Sequence, residues 1–71
     1  MNILDVFAHN VRAYRLSCNI SQEKLAEKSG LHRTYISDIE RSQRSISLGN
    51  VQKIADALDI PPYKLLLEEE N

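Results

Sequence analysis

Apolar residues return every three or four positions along almost the whole chain, the spacing of helices that each bury one face. Leu4, Phe7, Val11, Tyr14 and Cys18 mark the first stripe, and Asn19, which tolerates a left-handed backbone, is expected to end that helix. Ser21 reads as the N-cap of a second, short helix, with Glu23 near the positive end of its dipole and Leu25, Ala26 and Ser29 turned inward. Lys24 stands where a full capping box would place Glu or Gln. Gly30 supplies a tight turn through positive φ, and Leu31 follows as an apolar plug. A third helix is predicted from about Arg33 to Arg41, burying Ile36 and Ile39 and turning Arg33, Thr34, Ser37 and Asp38 outward, with His32 a poor N-cap. Ser42-Gln43-Arg44-Ser45 breaks the pattern. Ser47 then caps a fourth helix with the stripe Leu48, Val51, Ile54, Ala55 and Leu58, closed by Asp59. Pro61 and Pro62 suit the start of a further helix, expected from Tyr63 to about Leu67. No stretch alternates in the manner of a strand, so the expected fold is all-α with five helices.

A chain of 71 residues builds one small domain, expected over residues 1–67 with an acidic, disordered tail over 68–71. Domains of this size often draw stability from disulfides, metals or oligomers. Cys18 is the only cysteine, and His9 and His32 lack zinc-site spacing, which leaves oligomerisation and no metal or cofactor. The opening Met1-Asn2-Ile3-Leu4-Asp5 does not resemble a secretory leader, and apolar runs such as Leu65–Leu67 are far too short to cross a bilayer. A cytoplasmic location without membrane contact is the expectation. Catalysis is not expected: there is no glycine-rich phosphate loop, and no Cys/His or Ser/His/Asp arrangement has supporting context.

The formal net charge of −1 argues at first against a nucleic-acid partner, whose affinity rests on cations against phosphate. Placement changes this. Three of the ten acids are Glu68, Glu69 and Glu70, so residues 1–67 carry nine basic and seven acidic groups. Lys28, Arg33, Arg41 and Arg44 gather in the middle segment.

The stretch from Ser21 to Arg41 has the layout of a helix-turn-helix: small Ala26 where helices approach, Gly30 in the turn, and Leu31, Ile36 and Ile39 locking one helix against the other. Together with Ser-Gln-Glu-Lys-Leu-Ala at 21–26, Ser-Gly-Leu at 29–31, Tyr-Ile-Ser-Asp-Ile-Glu at 35–40 and Val-Gln-Lys-Ile-Ala-Asp-Ala-Leu at 51–58, it resembles the Cro/C1-type (XRE) family of bacterial and phage regulators, with a lambda-repressor-like fold, over residues 7–66. Within that family, Arg33-Thr34-Tyr35-Ile36-Ser37, the following Ile-Glu-Arg and Arg44 are similar to restriction-modification controller proteins. The resemblance implies a homodimer on an inverted-repeat operator in double-stranded DNA, without a small-molecule ligand. It implies that Gln22 touches phosphate and braces the recognition helix, that Arg15 and Glu40 form an ion pair, and that Arg33, Thr34 and Tyr35 lie near bases with Ser37 and Arg44 beside them. It also implies a dimer interface in the region of the fourth and fifth helices. Ser42 stands where the family often has Gly, and Ile46 where it often has Pro.

Each of these residues also has a plainer reading. Arg33 can be a solvated cation, but at the first turn of a recognition helix its planar fork matches the O6 and N7 acceptors of guanine. Thr34 suits a thymine methyl or simple surface decoration, and Tyr35 a phosphate contact or a packing role. Gln22 can serve helix capping or phosphate binding. Asp38 shares the outer face, and Arg41, Arg44, Lys24 and Lys28 are phosphate candidates or solvated charges. Leu65, Leu66 and Leu67 exceed what a short terminal helix buries within one small domain and point to a second subunit; the alternative is that Leu65 and Leu66 cap the monomer core while Leu67 is incidental, and Ile60 and Tyr63 join either arrangement. An antitoxin-type module or a protein-interaction adaptor on the same fold is the rival functional reading.

Overall fold

Three of the four helices start at a side-chain cap, and all four stop at a left-handed residue. The computed structural model describes residues 2–68, in which α1 runs Ile3–Ser17, α2 Gln22–Ser29, α3 Arg33–Glu40 and α4 Leu48–Leu58, followed by a 3-10 turn over Pro62–Leu65. Asn2, Ser21 and Ser47 cap α1, α2 and α4 by accepting from the backbone N–H of Leu4, Lys24 and Asn50 at 2.7, 3.0 and 3.1 Å. The four C-termini share one device: a residue in the left-handed region, at Asn19 (φ 59), Gly30 (φ 75), Ser42 (φ 58) and Asp59 (φ 59). In each case the next N–H reaches back to the carbonyl five residues earlier, as Ile20 to Arg15, Leu31 to Ala26, Gln43 to Asp38 and Ile60 to Ala55. Ile20, Leu31 and Ile60 then pack against the core, whereas Gln43 is exposed. The loop after α3 therefore lacks the apolar anchor that follows the other three helices.

The core joins Phe7 and Val11 of α1, Leu25 and Ala26 of α2, Ile36 and Ile39 of α3, Val51, Ile54, Ala55 and Leu58 of α4, and Leu65. Full enclosure of side chains such as Leu25, Ile36 and Ile54 contributes about 1.5–3 kcal/mol each. α3 packs on α1 and α2, α4 on α2, and the 3-10 turn closes against α1 and α4. Asn10 is buried in that closure and donates its amide to the carbonyls of Lys64, Leu65 and Leu67 at 3.3, 3.0 and 2.9 Å.

Three expectations need correction. The expected fifth helix over 63–67 is one 3-10 turn. Asn10 takes the carbonyls of Lys64 and Leu65, which a continuing α-helix would have offered to its next turn. Cys18 is exposed at the end of α1 rather than part of its buried stripe, because the inward position one turn from Val11 belongs to Arg15. Leu48 is 82% exposed as the first residue of α4, and Ile46, outside the helix, packs on the core in its stead. Of the expected 68–71 tail, residues 69–71 lie outside the described residues.

Among the described residues, Ser42 is the one left-handed position filled by a residue with little liking for that backbone. Ser42→Gly is expected to raise the unfolding free energy by about 0.5–1 kcal/mol, read as a higher urea midpoint at unchanged slope.

Candidate nucleic-acid interface

The orientation of α3 is set by a buried carboxylate at its last residue. Glu40 accepts from Arg15 Nε at 2.7 Å and Nη2 at 3.0 Å, and from Gln22 Nε2 at 3.1 Å. Arg15 spends its remaining Nη1 on the carbonyl of Ile20 at 2.8 Å. One carboxylate thus joins the last turn of α1, the α1–α2 turn, the first residue of α2 and the end of α3. The two charged side chains are only 10% and 3% exposed, and among the described residues no buried polar side-chain atom lacks a partner. Fork-to-carboxylate geometry of this kind fixes direction as well as distance.

The other end of α3 is left open. His32 makes no side-chain capping bond, so the first N–H groups of the helix and its positive dipole end are available to an anion. Arg33 and Thr34 occupy that turn, fully on the outside, and Arg33 has no ionic or hydrogen-bonding partner among the described residues. Ser37 lies one turn further along, half-buried.

Beside this face the structure assembles a second group. The Arg44 guanidinium lies 5.0 Å from the centre of the Tyr35 ring, and the Tyr35 hydroxyl accepts from Asn50 Nδ2 at 2.9 Å. Asp38 receives Arg41 Nη2 at 2.7 Å and stands 3.6 Å from Arg44 Nη2. Thr34, Tyr35, Arg44 and Asn50 line a shallow concavity with Leu31 and His32. Asp38, expected on the outer face with the DNA-facing residues, directs its carboxylate at these two arginines. Lys24 is paired with Glu27 across the exposed face of α2, and Lys28 is exposed near its end.

Sequence reasoning missed Asn50 and Asn10. Asn50 carries no signal beyond its place three residues after the Ser47 cap, since its partner Tyr35 is brought to it only by the packing of the whole domain. The residues expected at a dimer interface lie around the 3-10 turn: Tyr63 and Leu67 are 62% and 55% exposed, Leu66 is 38% exposed, and Ile60 is half-buried. Leu65 belongs to the monomer core.

Residues 11–65 match the family described as Helix-turn-helix. The chain is 56% identical over 66 residues to Control protein C.BamHI of Bacillus amyloliquefaciens, spanning 92% of this chain and 82% of that protein. It superposes on the restriction-modification controller protein C.AhdI of Aeromonas hydrophila with a TM-score of 0.85 at 47% identity, covering 87% and 94% of the two chains. The controller protein C.Esp1396I, solved as a tetramer in complex with its natural 35 base-pair operator, matches with a TM-score of 0.85 at 32% identity over 92% of this chain and 86% of that one.

Glu40→Ala is expected to cost about 3 kcal/mol of stability in chemical denaturation, because it leaves the Arg15 charge buried without its partner. The same measurement on Lys24→Ala, which removes only an exposed pair, is expected to move by less than about 0.5 kcal/mol.

Proposed function

The chain belongs to the helix-turn-helix family of Cro/C1 type, with restriction-modification controller proteins among its relatives, and we propose that it is a sequence-specific transcriptional regulator that binds double-stranded DNA as a homodimer. The observation that carries this reading is the outward edge of α3, which begins with Arg33, unpaired among the described residues, and is held at its far end by the Arg15–Glu40–Gln22 bracket. The controller C.Esp1396I bound to its operator supports the same assignment.

In this reading α3 enters the major groove N-terminus first. Arg33 presents its fork to guanine, a contact worth about 1–3 kcal/mol of discrimination, and Thr34 and Tyr35 lie beside it. Ser37 and Arg41 reach the flanking backbone, Arg44 lies near the bases, and Asp38 aims Arg41 and Arg44. The Gln22 amide gives one hydrogen to Glu40 and keeps the other for a phosphate. These contacts to phosphate set register, while the base contacts carry the sequence information.

A two-fold dimer built through Ile60, Tyr63, Leu66 and Leu67 would place two such helices about 34–36 Å apart, as in phage repressors that use this motif, and read an inverted repeat. Such a regulator works in the cytoplasm beside the DNA and has no catalytic step. No helix among the described residues is long and apolar enough to cross a membrane. The relatives being control proteins and repressors, an antitoxin-type or adaptor role is not favoured.

Selection from a pool of randomised duplexes is expected to return a sequence with two-fold symmetry; a pool that stays random after repeated rounds would refute the assignment. On the selected duplex, Arg33→Ala is expected to weaken binding by about tenfold or more while changing affinity for random duplex far less, compared at one salt concentration. Leu66→Glu is expected to shift sedimentation from dimer towards monomer at micromolar concentration.

A further inference from the structure

Arg44 stands in the loop between α3 and α4, which reaches the core only at Ile46, four residues after its left-handed turn. The residue after the left-handed Ser42 is the exposed Gln43, where the corresponding loops place Ile20, Leu31 or Ile60 on the core. Arg44 is held instead by the face of Tyr35 and by the edge of Asp38, at 5.0 and 3.6 Å. Its position therefore depends on that of the Tyr35 ring as well as on Asp38.

That ring is half-buried and is tied down at its far end by a single bond, from Asn50 Nδ2 to the hydroxyl at 2.9 Å. Asn50 is itself placed by its helix. It sits in the first turn of α4, and its backbone N–H is engaged by the Ser47 cap at 3.1 Å. Since Asn50 donates, the phenol oxygen spends a lone pair on it, and the O–H hydrogen is free to turn away from α4 into the concavity lined by Thr34 and Arg44.

We propose that Asn50 is a specificity-determining positioning residue: it fixes the Tyr35 ring so that the Arg44 fork and the Tyr35 O–H meet the duplex as one preformed unit. The inference rests on the reading of α3 as the DNA-recognition helix. It assigns to α4 a part in sequence discrimination that requires no contact between Asn50 and a base. An arginine already laid on a fixed aromatic face loses less freedom on binding than one swinging from an unanchored loop, and that advantage applies only where its target is correctly placed. Random duplex, gripped through phosphate, gains little from it.

The test is a double-mutant cycle of Asn50→Ala and Tyr35→Phe on the full chain, measured on the duplex selected by the parent protein and on random duplex, at two salt concentrations, with thermal melting alongside. Each single variant is expected to melt near the parent, to keep the salt slope and random-duplex affinity within about twofold, and to lose about tenfold on the selected duplex. The double variant is expected to lose about tenfold as well, because the two residues act through one bond. Additive losses in the double variant, equal losses on both duplexes, or an unchanged Asn50→Ala protein would each overturn the role of Asn50 while leaving the DNA-binding reading intact. A parent protein that prefers no duplex would overturn both.

Discussion

The Glu40 carboxylate, out of water with an arginine against it, is the constraint on which the rest of this domain depends. Burying such a pair is costly, and a well-packed apolar pair of similar volume often serves stability as well or better. The charged version adds direction. Arg15 has one fork, and its three bonds to Glu40 and the Ile20 carbonyl allow one placement of α1 against the end of α3, while Gln22 adds the start of α2. α3 has eight residues and fully buries only Ile36 and Ile39, so little of its surface serves to fix its direction by packing. The bracket lies at its C-terminus so that its N-terminus can project.

Electrostatics are arranged by position rather than by quantity. The net charge is −1, yet the outer edge of α3 and the following loop present Arg33, Arg41 and Arg44 together, with Asp38 as the only acid on that helix besides the buried Glu40. Asp38 limits the reach of two of the three arginines. In the proposed reading such a protein gives up some attraction for any duplex and gains contrast between one duplex and another, with Arg33, unpaired among the described residues, assigned to a base edge.

Much of this was legible along the chain, and the reasons are local. Helix ends announce themselves through short polar side chains and left-handed backbone, so Ser21, Ser47, Asn19, Gly30 and Asp59 could be read as caps before any packing was known. The pattern of Ile36 and Ile39 oriented α3, and the resemblance to the Cro/C1-type family implied the Arg15–Glu40 pair. What could not be read depends on contacts between distant residues. Asn10 ends the 3-10 turn from more than fifty positions away, which is why the final segment was expected to be a longer helix. Leu48 has an apolar side chain at a helical spacing, yet falls beyond the edge of the core. The bond from Asn50 to Tyr35 exists only once α4 is docked.

The most direct test of the central claim replaces both members of the buried pair at once, as Arg15→Met with Glu40→Leu, and measures discrimination between the selected duplex and random duplex. If the bracket directs α3, the doubly apolar protein remains folded and dimeric but loses most of its preference for the selected sequence. A folded double variant that discriminates as sharply as the parent would show that packing alone aims the helix and that the buried pair does not direct it.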